Sequence, residues 1–124
     1  MAKAVRISDA EWQVMETLWA RSPRTAAEVV GALAAAEARS PRTIKTMLNR
    51  LIKKKAIAFE AEGKMYLYRP IVSRESAVRA QSVSFVQRVF RGEIQPMLAY
   101  FVESETLSPP DIAELRKILA RKGR

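Results

Sequence analysis

The sequence predicts a mainly α-helical chain with a small β-hairpin wing: three short helices, the hairpin, then three more helices. Three observations carry this. Apolar residues recur at three- and four-residue steps through most of the 124 residues. Ser or Thr followed three residues later by an acid, the signature of a capping box, stands just before several of those segments. Between Ile57 and Pro70 the pattern changes to alternation around a central Gly63-Lys64.

Ser8-Asp9-Ala10-Glu11 opens the first helix, expected over about residues 9–20, with Val14, Met15 and Leu18 apolar. Trp12 and Trp19 lie two turns apart on one face, which predicts a place in the core. Ser22-Pro23-Arg24 is a turn, and Thr25-Ala26-Ala27-Glu28 repeats the capping pattern. It opens a second helix over about 25–37, with Val29, Val30 and Leu33 apolar and alanines that admit a close neighbour. Ser40-Pro41 starts the third helix, expected over about 41–54. Proline suits the first helical position, where its missing N–H costs nothing. Ile44, Leu48, Leu51 and Ile52 form an inward stripe.

Ile57, Phe59 and Ala61 then alternate with Ala58 and Glu60, and Met65, Leu67 and Arg69 with Tyr66 and Tyr68. Glu62-Gly63-Lys64 is the turn between these strands, with Gly63 the residue expected at positive φ. Pro70 closes the second strand, as an edge strand permits.

A short hinge near residues 71–74 divides the chain into an expected first domain, 1–72, and a second, 73–124. The later helices are expected over about 74–91, 94–103 and 110–122. Gly92 terminates the first of them and Ser108 caps the last. Three short helices of about 50 residues bury little by themselves. Their apolar faces are therefore expected to meet a second copy, making this a dimerisation region.

Composition narrows the function. The net charge is +9 and the pI about 10.4, with 48% apolar residues, enough for a core. Residues 1–80 carry 15 basic and 8 acidic side chains; residues 81–124 carry 7 and 5. The positive field thus belongs mainly to the first part, where a polyanion would be met. There is no cysteine and no histidine, which removes disulfides, thiolate nucleophiles, cysteine-based zinc sites, the commonest metal ligand and the usual proton shuttle. Carboxylates are scattered and no Gly-rich phosphate loop occurs. The expectation is a protein that is not an enzyme, with no catalytic residue, no metal and no cofactor. No apolar run approaches the roughly 18 residues of a membrane span, and the first eight residues lack the apolar stretch of a signal peptide. A soluble, cytoplasmic protein without membrane insertion is expected.

Three helices and a hairpin make a winged helix-turn-helix, in which the third helix enters the major groove of duplex DNA. From Arg39 to Lys55 there are seven basic residues and no acid. Away from the apolar stripe stand Arg42, Thr43, Lys45, Thr46, Asn49, Arg50 and Lys53. Thr43, Thr46 and Asn49 are short and polar, suited to base edges or phosphates; Arg42 and Arg50 can reach guanine or bridge phosphates bidentately. A helix made only for solubility would interleave Glu with Lys. Lys64 at the hairpin tip is expected to touch phosphate. Tyr66 and Tyr68 share a face and read either as cross-strand packing or, through a hydroxyl, as phosphate ligands. Lys53 and Lys54 suit the C-terminal end of a helix dipole whether or not DNA is bound, so the alternatives of structural lysine and DNA anchor stay open for them. A different class of function also fits the charge: a basic winged-helix module that binds an acidic protein partner or RNA.

Four stretches resemble the BlaI/MecI-type penicillinase-repressor family of bacterial winged-helix regulators. They are Ser8 to Trp12 leading to Leu18-Trp19; Ser40 to Leu51; Glu62 to Pro70; and Phe101-Val102-Glu103 followed by Leu107-Ser108-Pro109. The resemblance implies a homodimeric repressor that binds a palindromic double-stranded operator through two winged helices, with the C-terminal helices making the dimer. The chain also departs from the family's pattern. The family usually has Gly after the basic helix, where this chain has Lys55-Ala56, so the helix is expected to end differently. The copper-responsive branch senses through C-terminal cysteines, absent here. In the penicillinase branch a membrane-bound sensor protease leads to cleavage before a Phe in the C-terminal helices. The corresponding bond is Tyr100–Phe101, with Tyr in place of a small polar residue; the competing reading is that both rings belong to the dimer core.

Overall fold

The computed structural model describes residues 5–34, 40–104 and 106–123. Its elements are α1 (Asp9–Ala20), α2 (Ala26–Ala34), α3 (Pro41–Lys53), β1 (Ile57–Glu62), β2 (Met65–Pro70), α4 (Arg74–Phe90), α5 (Ile94–Glu103) and α6 (Pro109–Lys122). Residues 35–37, expected to finish the second helix, lie outside the described residues. The chain forms two compact units, Met1–Gln81 and Ser82–Arg124.

The helix starts follow the capping signals. The Glu11 N–H donates to Ser8 Oγ at 3.2 Å and the Ser8 N–H to Glu11 Oε1 at 2.9 Å. Thr25 and Glu28 make the same reciprocal pair at 3.1 and 2.9 Å. At α3 the Thr43 N–H donates to Ser40 Oγ, with Pro41 in the first turn. Each cap stabilises by only about 1 kcal/mol. Packing decides how the helices lie.

The core of the first unit gathers Val14, Met15 and Leu18 from α1, Val29 and Leu33 from α2, and Ile44, Met47, Leu48 and Leu51 from α3, closed by Ala56, Ile57 and Tyr68. Full burial of each large side chain is worth roughly 1.5–3 kcal/mol. Met47 joins the expected stripe because it lies one turn from both Ile44 and Leu51, whereas Ile52 is only half-buried. Trp12 and Trp19 sit at the rim instead of inside, edge to face with ring centres 5.2 Å apart. The indole is too large to disappear and its N–H needs a partner; Trp19 Nε1 donates to Val72 O at 2.9 Å.

The end of α3 differs from expectation. Lys55 does take the left-handed conformation usually given to Gly, at φ 64°. Its N–H donates to Ile52 O at 3.0 Å and the Ala56 N–H to Leu51 O at 2.9 Å. This pair of bonds is a Schellman motif, and the buried Ala56 and Leu51 supply its apolar contact. The sequence places a Cβ where the motif prefers none, and packing of Ala56 and Ile57 holds it there.

β1 and β2 pair antiparallel from Ile57↔Pro70 to Glu62↔Met65, so the loop is the two residues Gly63-Lys64 rather than three, with Gly63 at φ 64°. Arg24 adds an isolated bridge beyond β2: its N–H donates to Tyr68 O at 3.0 Å and the Tyr68 N–H to Arg24 O at 2.8 Å. The turn before α2 is thereby fastened to the wing.

The first unit continues past residue 72 into α4. Ala77 is buried, Arg74 Nε donates to Glu16 Oε1 at 2.8 Å, and Gln81 Nε2 donates to Ile7 O at 2.8 Å. Ala77 and Gln81 are one turn apart and share a face. A helix start at Arg74 is visible in sequence; the surface it packs on is not.

In the second unit, Arg91 (φ 53°) and Gly92 (φ 82°) end α4, and Ser108 and Asp111 form a reciprocal cap on α6. Among the described residues after Ala77, none is buried. Val83, Val89, Ile94, Val102 and Leu119 are each more than half exposed in the single chain. Of the expected inward stripe of the last helix, Ile112 is half-buried, while Leu115, Ile118 and Leu119 are exposed within one chain.

Candidate nucleic-acid interface

The buried stripe of α3 leaves a broad outward arc. Arg42, Thr43, Lys45, Thr46, Asn49, Arg50 and Lys53 all lie on it and all are exposed. Two of them have part of their hydrogen bonding committed locally. Thr46 Oγ1 donates to Arg42 O at 3.0 Å, and Thr43 Oγ1 stands 2.9 Å from Ser40 Oγ. The Thr46 hydroxyl proton is thus committed to the helix backbone.

Between the start of α2, α3 and the hairpin runs a groove of about 660 Å³. It brings Lys45 and Asn49 of α3 together with Lys64 and Tyr66 of the wing; among the described residues no acidic side chain lines it. Arg42, Thr43, Thr46, Arg50 and Lys53 do not line the groove and occupy the remainder of the α3 arc. Thr25 and Met65 also border it, and sequence reasoning passed over both. Thr25 read only as a cap, and Met65 as one apolar position among several.

Both tyrosines line the groove but differ in exposure. Tyr68 is buried, and burial pushes its phenol pKa up. Tyr66 is 51% exposed at the groove, its ring edge to face with Phe59 at 4.8 Å.

The cations sort by position. Arg21 pairs with Glu28, Lys54 with Glu11, Arg69 with Glu60 and Arg74 with Glu16. Among the described residues, no acid pairs with Arg42, Lys45, Arg50, Lys53 or Lys64. Charge already neutralised by a carboxylate attracts a polyanion weakly; Arg42, Lys45, Arg50, Lys53 and Lys64 keep theirs. Lys54 is the one member of the Lys53-Lys54-Lys55 run to turn back into the fold, a contact that no local pattern announces.

Tyr100 and Phe101 lie within α5, rings edge to face at 5.6 Å, and the Ser104 N–H donates to Tyr100 O at 2.9 Å. Among the described residues there is no group of His, Cys, Asp or Glu that could hold a metal ion, and no helix long and apolar enough to cross a membrane.

The penicillinase repressor family matches residues 7–121 of this sequence. The chain belongs to that family. It is 39% identical over 119 residues to a penicillinase repressor of Bacillus licheniformis, spanning 96% of this chain and 93% of that protein. It is 33% identical over 120 residues to the methicillin resistance regulatory protein MecI of Staphylococcus aureus strain N315, spanning 97% and 98%. Among solved structures, the DNA-binding domain of the repressor BlaI covers 61% of this chain and 93% of its own, at 41% identity and a TM-score of 0.55. Bacillus licheniformis BlaI in complex with the blaP half-operator gives the same identity and coverage at a TM-score of 0.53. The resemblance carried by residues 40–51 and the hairpin is thus family membership, and the mainly helical fold with a winged helix is that of the family's DNA-binding domain.

Proposed function

We propose that this member of the penicillinase repressor family is a transcriptional repressor that binds duplex operator DNA as a homodimer. The observation that carries the reading is the unpaired cationic arc of α3 beside the wing. The named functions of the relatives and the half-operator bound to BlaI support it.

In this reading α3 enters the major groove. Thr43, Thr46 and Asn49 face base edges, Thr46 offering its methyl to thymine and Asn49 an amide suited to adenine. Arg42 and Arg50 reach guanine or phosphate, and Lys53 reaches phosphate. Lys45 and Lys64, on opposite walls of the 660 Å³ groove, hold one sugar-phosphate strand between them, with the Tyr66 hydroxyl as a further donor. The second copy is placed by the helices of residues 73–124, where Val83, Val89, Ile94, Val102 and Leu119 stay more than half exposed in one chain. Two copies place two α3 helices on half-sites about one helical turn or more apart, hence a palindrome.

Release by a membrane-bound sensor protease through the Tyr100–Phe101 bond would require α5 to open first, because that peptide lies inside a hydrogen-bonded helix. The placement favours a role for both rings in the dimer face. Incubation with the cognate protease checks it: an intact chain is expected.

Footprinting of the purified protein on genomic DNA tests the whole reading. Discrete palindromic protections are expected. Equally weak binding to every duplex would overturn it in favour of a basic module that meets a protein or RNA.

A further inference from the structure

We propose that Lys54 is a positioning residue for DNA binding, one that aims α3 by tying its C-terminal end to the start of α1 and makes no phosphate contact itself. The proposal rests on the DNA-binding reading above.

Lys53, Lys54 and Lys55 look equivalent in sequence. The structure separates them. Lys53 points outward on the α3 arc, and Lys55 is the left-handed residue of the helix end. Lys54, about 100° round the helix from Lys53, folds back. Its Nζ donates to Glu11 Oε1 at 2.5 Å and to Arg6 O at 2.7 Å. The Glu11 side chain is only 2% exposed, and the same oxygen accepts the Ser8 N–H.

One ammonium therefore joins three things: the end of α3, the capping box of α1 and the backbone before it. That backbone is fastened a second time, by Gln81 Nε2 on Ile7 O. The anchor is consequently stiff. A lysine committed to a buried carboxylate cannot leave it for a phosphate without stranding that charge. What it supplies is angle: the last turn of α3 sets how the outward arc meets the groove, and base-edge hydrogen bonds tolerate only small misplacement.

The test uses the full chain and a duplex segment that the wild-type protein protects in genomic footprinting. Affinity is titrated across salt concentrations for Lys54→Met, Glu11→Gln and the double variant. Both single variants are expected to bind more weakly, Lys54→Met by about tenfold, with the log-log salt slope unchanged. The double variant is expected to be no weaker than Lys54→Met, as for two residues acting as one unit. A slope shallower by about 0.9 in Lys54→Met would assign it to a phosphate and overturn the proposal. So would a Glu11→Gln protein that binds as tightly as wild type or tighter, since a freed lysine would then be serving DNA. If Lys54→Met fails to fold, Glu11→Gln, which keeps the lysine, decides alone. Amide exchange of the free protein reads the tie without DNA: protection of Lys54 and Ala56 should drop in either variant, and unchanged protection sinks the idea. Failure of the wild-type chain to select any duplex would instead count against the repressor reading.

Discussion

Arg50 of α3 and Lys55 just past its end show how differently single side chains act here. Arg50 is exposed, unpaired among the described residues and held by nothing but its own helix. Replacing it with Ala should leave folding intact and cost about 1–3 kcal/mol of operator binding, read as a shift of the half-saturation point in a gel-shift titration. Wild-type affinity in Arg50→Ala would remove it from the interface. Lys55 acts in the opposite sense. It holds φ at 64°, a conformation that costs a residue with a Cβ about 1–2 kcal/mol. Glycine relieves that cost but loses more freedom on folding. Lys55→Gly should therefore stabilise by a net of about 0.5–1 kcal/mol, seen as a raised urea midpoint. A lowered midpoint would mean that the Lys55 side chain contributes contacts worth more than the strain.

At the scale of elements, the junction of α1 with α3 makes stability depend on pH. Burial pushes the Glu11 carboxyl upward, but Lys54 and the Ser8 N–H pull it further down, leaving its pKa below the usual value. Arg74 does the same for Glu16, joining α1 to α4. A carboxylate with a depressed pKa in the folded state stabilises fully above its unfolded value, and the stabilisation is lost as pH falls through the folded value. The urea midpoint should stay level from neutral pH to the usual glutamate range near 4.5 and fall below it. Glu11→Gln should start from a lower midpoint at neutral pH and show a shallower decline. An unchanged decline would place the acid sensitivity elsewhere. The same junction marks the limit of what the sequence alone could tell. Helix starts were legible because a capping box is complete within four residues, and the α3 arc because its stripe repeats within thirteen. Lys54 and Glu11 are 43 positions apart, and nothing local distinguishes that lysine from its neighbours. The bridge from Arg24 to Tyr68 and the rim positions of the tryptophans escaped for the same reason: each depends on a partner that only packing supplies.

At the scale of the whole molecule, the two units have unequal means of holding themselves together. The first has a closed core; in the second, no described residue is buried. If a second copy covers those apolar faces, the melting temperature should rise with protein concentration, and sedimentation should give twice the chain mass. Replacing exposed Leu119 with Asp should shift sedimentation toward the single chain while leaving the first unit folded. A concentration-independent melt with a single-chain mass would overturn the dimer. The uncovered helices have one more consequence. Where the chain is scarcer than its dissociation constant, the amount of paired protein follows the square of its concentration, so a twofold dilution lowers it about fourfold. A growing cell that stops making the chain would thus empty its operators faster than the protein itself disappears.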